Sequence, residues 1–599
     1  MTLRIAPFLL VLAASAAHAR SLPPGPVLGQ PAAYVIVTPS SFASEFQRLA
    51  HWKTRYGVPA VVKPLEEIVA EYPSGRDDAE RVRMFLNDAS TQWGTQWVLL
   101  GGDAPWVPAR QVHSAFLGGL DFASDLYFAT RGGDWDDNLN GIFGEAYASP
   151  SAPGDSVDLT PRLWLGRAPV RSAAEARAFV GKTLLASFEP VVARPFRAVL
   201  AAEVLYPFPW TPGTPPVIDG APYAESVIPT LTAHPDIEIT RLYQNVPDPN
   251  WPDALPLSHD AVLDALEDGA DFVAAITHGT QEFITVGPDL ITGDDLAATT
   301  NGRVLTRGWL WGSHTGDFTA DCVAERWVRT PTGGAVACIA PSNYTFASPT
   351  PQYLGAFMNA AFGPAAPAIG VAHAEALLGF IPFAIFDGAH RLHVMDLTLF
   401  GDPGTQLYAP PAAAFAVEAP AAERGSTSYA LAVTRGALPV PGASVCAIVD
   451  DREWVRGSTD VEGRVRLPFA SPLERAVLLT VVTPDGGRWS ADRLAEGTVG
   501  VPSGDLAGPR LVAPSPNPAR ESIRFAGHAG TGGGAARLEV IDLGGRRVRA
   551  LPITPGAFEL RWDLRDAAGR RVPEGVYFAR LIDGAKTTAL ATRRLIVLR

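Results

Sequence analysis

The 599-residue chain holds only three cysteines, Cys322, Cys338 and Cys446. Three thiols cannot build a disulfide framework and at least one stays free, so packing rather than crosslinking has to stabilise the folded units. Lysine is scarcer than the charge balance suggests: four lysines leave 45 arginines among the 49 basic residues, and they form no basic stripe. A net charge of −13 without a clustered positive face excludes nucleic acid as an expected partner. There is no G-x-S-x-G, so the nucleophile elbow of the α/β-hydrolases is excluded too. Beyond the first twenty residues no apolar run reaches the ~20 residues of a membrane span.

The start, "MTLRIAPFLLVLAASAAHAR", has a positive residue at Arg4, an apolar stretch from Pro7 to Ala17, and the small-residue pattern Ala17-His18-Ala19. This reads as a secretory signal cleaved after Ala19, and the expected location is secreted or cell-surface. With 47% hydrophobic and 19% charged residues the remainder is folded material. Its length implies about three to five domains.

Six parts are expected: the signal at 1–19, a Pro-rich lead at 20–32, an α/β region in two parts at 33–180 and 181–411, and two β-rich domains at 412–500 and 511–599. A Gly/Pro-rich link around 499–510 separates the last two. The α/β reading rests on alternation. "AYVIVTP" (33–39) is a buried strand and "SFASEFQRLAHWKTRYG" (41–57) a helix with a glycine stop. "DDAERVRMFLNDAS" (77–90) is a second helix, followed by the strand "WVLLGGD" (97–103). The rhythm predicts a mostly parallel sheet covered by helices on both faces. Past 411 the runs shorten and alternate between turns, the pattern of two β-sandwiches.

Four apolar runs carry the chemistry: "RAVLAAEVL" (197–205), "DFVAAITHG" (271–279), "RGWLWGS" (307–313) and "GAVACIAPSN" (334–343). Ligands of open α/β sheets bind beyond the carboxyl ends of the strands. Glu203, His278 and Ser313 stand at or near those ends, so an acid, an imidazole and a hydroxyl converge on one sheet edge. Ser313 is the expected nucleophile, His278 its base, and Glu203 the acid that orients the far imidazole nitrogen. Gly279 permits close backbone approach, and its N–H with that of Ser313 would bind an oxyanion. Cys322 opens "DCVAERWV", a helix with Asp321 as expected N-cap. A thiol at a helix N-terminus is the alternative nucleophile, against a plain packing role.

"DWDDNLNGIFGE" (134–145) is a separate constellation. Asp136, Asn138 and Asn140 alternate before Gly141, as hard oxygen ligands do in calcium loops, with Asp134 and Glu145 as further ligands. The acid expected twelve places along is Tyr147 instead. A structural Ca²⁺ is the only cofactor expected; the chemistry requires none.

These residues resemble the gingipain-type cysteine peptidases, family C25, over roughly 33–410. The likeness is carried by "YVIVTPSSF", "LAHWKTRYGVPAVV", "WVLLGGDAPWVPAR", "SDLYFA", "LWLGRAPV", "AAE", "THGT", "SHTGDFTADCVAERWV", "GGAVACIAPSN" and "LFGDP", in that order. It implies a caspase-like α/β/α fold, polypeptide substrates and a Cys/His dyad assisted by an acid. Carried over, the catalytic His-Gly is His278-Gly279 and the assisting acid is Glu203. The nucleophile stands three places before Gly-Asp-Phe, which here is Ser313 and not Cys. The resemblance leaves three readings: a serine-dependent peptidase, an impaired pseudopeptidase serving as a surface binding or adhesion protein, or an enzyme that recruits Cys322. Asp219 falls where Arg-specific members carry an acidic pocket residue. Residues 412–500 resemble the Ig-like domain that follows this catalytic unit. Residues 511–599, with "PNP", "LGGRRVRAL" and "GVYFARL", resemble FlgD-like sorting modules of type IX secretion. That implies the outer-membrane secretion machinery as a further partner.

Overall fold

The structure is a computed structural model. It describes residues 20–146, 154–188, 194–363, 368–386, 388–408, 413–496, 510–511, 514, 519–528, 536–542, 546–553, 557–582 and 589–597. The signal at 1–19 and most of the 499–510 link lie outside them. The chain divides into two compact units, 1–497 and 498–599.

One eleven-stranded sheet organises the first unit. In chain order its strands are β1 (Tyr34–Thr38), β2 (Ala60–Pro64), β3 (Trp97–Gly101), β4 (Trp164–Ala168), β5 (Phe196–Ala202) and β6 (Ile237–Tyr243). The others are β7 (Leu255–Pro256), β8 (Phe272–Ile276), β9 (Thr306–Leu310), β10 (Ala335–Pro341) and β11 (Leu397–Gly401). Across the sheet they run β7-β6-β5-β8-β9-β10-β11-β4-β3-β1-β2. All neighbours are parallel except β10 and β11. The central strands are buried from end to end, which is why they read as continuous apolar runs rather than alternating ones.

Helices cover both faces. Ser40–Arg55, Ala173–Phe188, His259–Glu267 and Val323–Arg329 pack with Ile36, Val273 and Leu310 on one side. Asp78–Gln92, Pro349–Ala361, Ile369–Leu378 and Ala389–Asp396 pack with Val35, Ala274 and Trp309 on the other. Two helix starts follow their sequence signals. Asp77 accepts from the Glu80 N–H at 2.9 Å, and Ser258 from the Ala261 N–H at 3.2 Å. The expected parts 33–180 and 181–411 share this single sheet, because β11 returns from the second to pair with β4 of the first.

A buried guanidinium ties the halves. Arg167, on β4, spends all five N–H donors. Two reach Asp125, at 2.7 and 2.6 Å, and three reach the carbonyls of Gly102, Val107 and Pro108. Its guanidinium also lies 4.9 Å from the ring centre of Phe318, in the loop after β9.

Residues 413–496 form two further sheets around one core that includes Tyr429, Val445, Leu467 and Leu479. This part docks on the end of the first helix. Trp454 donates to the Thr54 carbonyl at 2.9 Å, and Thr480 to that of Arg55. The second unit has a three-stranded and a four-stranded sheet, with Phe525, Leu538, Val540 and Trp562 in its core. No helix among the described residues is long and apolar enough to cross a membrane.

Breaking the Arg167 site strands Asp125 without a counter-charge. Arg167→Met is expected to lower stability by about 3–5 kcal/mol, read by chemical denaturation. Adding Asp125→Leu should recover much of that loss; a double variant no more stable than the single would contradict the pairing.

Candidate active site

β5, β8 and β9 are adjacent and parallel, so their carboxyl ends open on one edge. Glu203 follows β5 directly, His278 lies two residues past β8, and Ser313 three past β9. Backbone bonds continue the register beyond the strands. The Glu203 N–H reaches the Ile276 carbonyl at 3.0 Å, and the Trp311 N–H that of Ala275 at 2.8 Å. Glu203 and His278 meet at this edge, and Ser313 lies in the loop after the adjacent strand.

The Glu203 side chain is only 1% exposed. A carboxylate there must be paired or hydrogen-bonded, and it accepts from four donors. The His278 N–H donates at 3.0 Å and the imidazole Nδ1 lies at 3.3 Å. The Thr285 hydroxyl donates at 2.5 Å and the Gly287 N–H at 2.7 Å. Thr285 and Gly287 come from the hairpin of Phe283–Val286 and Asp289–Thr292. With Nδ1 held, Nε2 is the nitrogen left for proton transfer. The His278 side chain stays 35% exposed.

His278 and Ser313 sit on either side of a backbone-to-backbone contact. A methyl group placed on Gly279 would lie 3.0 Å from the Gly312 Cα and 2.6 Å from the Thr315 Cγ2. Only glycine at both positions lets the loops meet, and each is chain neighbour to a candidate catalytic residue, His278 or Ser313. Neither the Gly279 nor the Ser313 N–H has an intramolecular partner among the described residues. Two unspent donors beside the Ser313 hydroxyl are what an oxyanion hole requires.

Ser313 Oγ accepts from the Thr345 N–H at 3.2 Å and lies 3.3 Å from its hydroxyl. No hydrogen bond joins it to His278 among the described residues. His314 has φ of +61°, an uncommon conformation outside glycine, held by its N–H to the Asn343 carbonyl at 2.9 Å. Its ring meets Tyr344 edge-on at 4.6 Å. Burial raises the Asp317 carboxyl, but the His314 imidazole 3.8 Å away and hydrogen bonds from Thr319 outweigh it and hold the group below its ordinary range.

Cys322 is itself the N-cap of Val323–Arg329, where Asp321 was expected. Asp321 is drawn away by Arg329 at 2.6 Å and Arg171 at 3.0 Å. Glu325 closes the cap by accepting the Cys322 N–H at 3.1 Å. The thiol is fully buried, and burial followed by the nearby Glu325 pushes it well above its ordinary value. The acidification expected of a helix N-terminus is therefore reversed, and Cys322 packs rather than attacks in this conformation. Cys338 and Cys446 are buried free thiols as well.

Asp219 ends a two-residue strand paired with Val204–Tyr206, next to Glu203. Its carboxylate accepts from the Ala221 N–H at 3.0 Å and the Asn245 amide at 3.1 Å. The 134–145 loop winds around Asp136, whose Oδ1 accepts the Gly141 N–H at 3.1 Å while Oδ2 meets Arg76. Asp134 accepts the Asp136 N–H. Asn138 and Asn140 donate to Glu145 at 3.0 and 2.6 Å. Among the described residues no three His, Cys, Asp or Glu side chains are grouped to hold a metal ion.

Four site residues escaped the sequence reading, Gly287 among them. Thr285 and Thr345 lie in ordinary loop or strand contexts and carried no signal. Phe208 carried one: it follows Glu203 in a stretch rich in aromatics and proline. Its ring lies 4.2 Å from that of His278.

A caspase-type parallel sheet with a Glu–His pair at its carboxyl edge defines a peptidase-like scaffold. A family model described as peptidase family C25 matches residues 28–408, and the chain belongs to that family. No curated protein matches the chain. Among solved structures it is similar to the Arg-specific cysteine proteinase gingipain R, with 17% identity and a TM-score of 0.58 over 78% of this chain and 99% of that one. It is similar too to the Porphyromonas gingivalis RgpB pro- and mature-domain complex, with 18% identity and a TM-score of 0.57 over 77% and 100%. A third, described as a protease, gives 13% and 0.58 over 78% and 98%. The catalytic region thus has the gingipain-like fold.

Gly279→Ala drives a methyl into Thr315 and Gly312, and overpacking of this kind costs about 1–3 kcal/mol. Denaturation midpoints should show that loss. Thr315→Ser in the same chain, which removes Cγ2, should return part of it. An unchanged midpoint for Gly279→Ala would mean the loops are not in contact.

Proposed function

We propose that the chain is an exported peptidase that cleaves extracellular polypeptides through Ser313. The observation that carries this is the Glu203–His278 pair, held by four hydrogen bonds beside two unspent backbone N–H donors. Family membership supports polypeptide as the substrate class.

In the proposed reaction Ser313 Oγ attacks the scissile carbonyl carbon and passes its proton to His278 Nε2. The carbonyl oxygen becomes an oxyanion at the Gly279 and Ser313 N–H groups. Collapse breaks the C–N bond, and the leaving amine takes the proton back from the imidazolium. Water, deprotonated by the same imidazole, then hydrolyses the acyl-serine. Glu203 stays ionised throughout and stabilises the imidazolium through Nδ1.

A second reading has its own observation: the Ser313 hydroxyl hydrogen-bonds Thr345 and not the imidazole. On that reading the fold is a catalytically impaired binding or adhesion scaffold. Residues 412–500 serve as an Ig-like spacer and 511–599 as a FlgD-like module for type IX export, in either case.

Hydrolysis of a mixed fluorogenic peptide library by the secreted chain separates the two. The peptidase reading expects turnover that Ser313→Ala and His278→Ala each abolish and Cys322→Ala leaves intact. Silence in the wild type with activity in Ser313→Cys would establish the impaired scaffold.

The calcium assignment is a separate proposal, outside the chemistry. The donor set of Asp134, Asp136, Asn138, Asn140 and Glu145 is hard oxygen, and the loop is already wound around Asp136. A Ca²⁺ ion has to displace Arg76 from Asp136 and turn the two amides from Glu145. At a hundredfold excess over Kd it should add about 2.7 kcal/mol of stability, which Asp136→Asn removes. Identical melting in CaCl₂ and in chelator would dismiss it.

A further inference from the structure

Beside the Glu203–His278 pair stands a feature the reaction does not use. From Val204 to Ile218 the sequence is "VLYPFPWTPGTPPVI", with no charged residue. Its stem is the hairpin of Val204–Tyr206 with Ile218–Asp219, closed by the Val217 N–H to the Tyr206 carbonyl at 2.8 Å. Its tip is closed by the Trp210 indole to the Thr214 carbonyl at 2.8 Å and by a turn from Thr214 to Thr211. The segment is thus ordered by its own hydrogen bonds, yet it leaves large apolar side chains in water. Tyr206 is 56% exposed, Phe208 52% and Val217 71%.

The position gives this exposure its meaning. The Phe208 ring lies against the His278 imidazole at 4.2 Å between centres, tilted by 38°. An apolar surface continuous with the reacting imidazole is wetted only while no substrate is bound. Covering it with an apolar side chain removes that surface from water, which favours binding. A basic side chain finds little there. Both Asp219 oxygens accept hydrogen bonds within the protein. Glu203 is enclosed by its four donors. Asp317 accepts from Gln281 and Thr319.

We propose that the 204–218 projection is the specificity wall of the site, and that Tyr206, Phe208 and Val217 select an extended polypeptide carrying an aromatic or aliphatic side chain beside the scissile bond. This rests on the peptidase reading for the site's use, but it concerns recognition and is testable without turnover.

Fluorescence polarisation on the full Ser313→Ala chain provides the test. The probes are labelled eight-residue Ala/Ser peptides differing in one central residue: Phe, Leu or Arg. The Phe and Leu peptides should bind at least about tenfold more tightly than the Arg twin, as side-chain pockets of this kind discriminate. Phe208→Ala on the same background should erase that preference and leave Arg binding unchanged; Tyr206→Ala should weaken it. Both side chains are half exposed, so neither change threatens folding. Asp219→Asn should alter none of the three. Arg binding equal to or tighter than Phe, a preference that survives Phe208→Ala, or no binding of any peptide at about 1 mM would each overturn the proposal. A chain that prefers Phe here but is inert in the hydrolysis assay keeps this proposal and loses the peptidase reading, so the two failures are distinct.

Discussion

Burying one carboxylate organises the whole site. An ionised Glu203 inside the protein is tolerable only if its oxygens are fully spoken for, and the donors come from two other places in the chain. The end of β5 supplies the acid, His278 two residues past β8 gives both a backbone N–H and a ring nitrogen, and the following hairpin gives a hydroxyl and another N–H. Removing one donor from such a set leaves a desolvated charge, at about 1–3 kcal/mol or more. The imidazole is therefore oriented by a demand of burial, and its chemistry inherits that order.

The loop that carries Ser313 is fixed by contacts of a different kind. At its start, two glycines let it meet the His278 loop without a side chain between them. Further on, Phe318 packs against the Arg167 guanidinium, which belongs to the other half of the sheet. Beyond that, Arg171 bridges Asp103 after β3 and Asp321 ahead of the next helix. Burial, then the neighbouring Asp103, pushes the Glu325 carboxyl well above its usual range, which keeps like charges from meeting there. Both halves of the sheet thus hold one short loop, as a site that must position groups to a fraction of an ångström requires.

Much of this is legible in the amino-acid sequence. Parallel strands buried on both faces must be long apolar runs, and whatever polar residue ends such a run must lie at the carboxyl edge. That logic placed Glu203, His278 and Ser313 together. It could not find Thr285 or Gly287, because their donors act from a hairpin whose sequence, "FITVG", looks like any strand and turn. It placed the helix cap one residue early at Asp321, since the arginines that claim that acid are brought in by folding. It also missed the antiparallel strand β11, where the helix Ala389–Asp396 runs straight into Leu397 with no turn residue to mark the boundary.

On the proposed peptidase reading a hydroxyl stands where the gingipain resemblance implies a thiol, and magnitudes decide which obstacle counts. Releasing Ser313 from the Thr345 N–H and hydroxyl costs two ordinary hydrogen bonds, each about 0.5–1.5 kcal/mol, within reach of a bound substrate. The acidity of the nucleophile is the larger matter. A thiol can give up its proton before attack, whereas a hydroxyl loses it only as the bond forms, so the base must be stronger and better supported. In Ser-His-acid sites, disabling the acid lowers turnover by about 10⁴. Here the acid is present, buried and bonded to Nδ1. Two backbone donors also stand unspent, and one such donor is worth about 10²–10³ in rate. The support a hydroxyl needs more than a thiol is therefore the part of this site most firmly built.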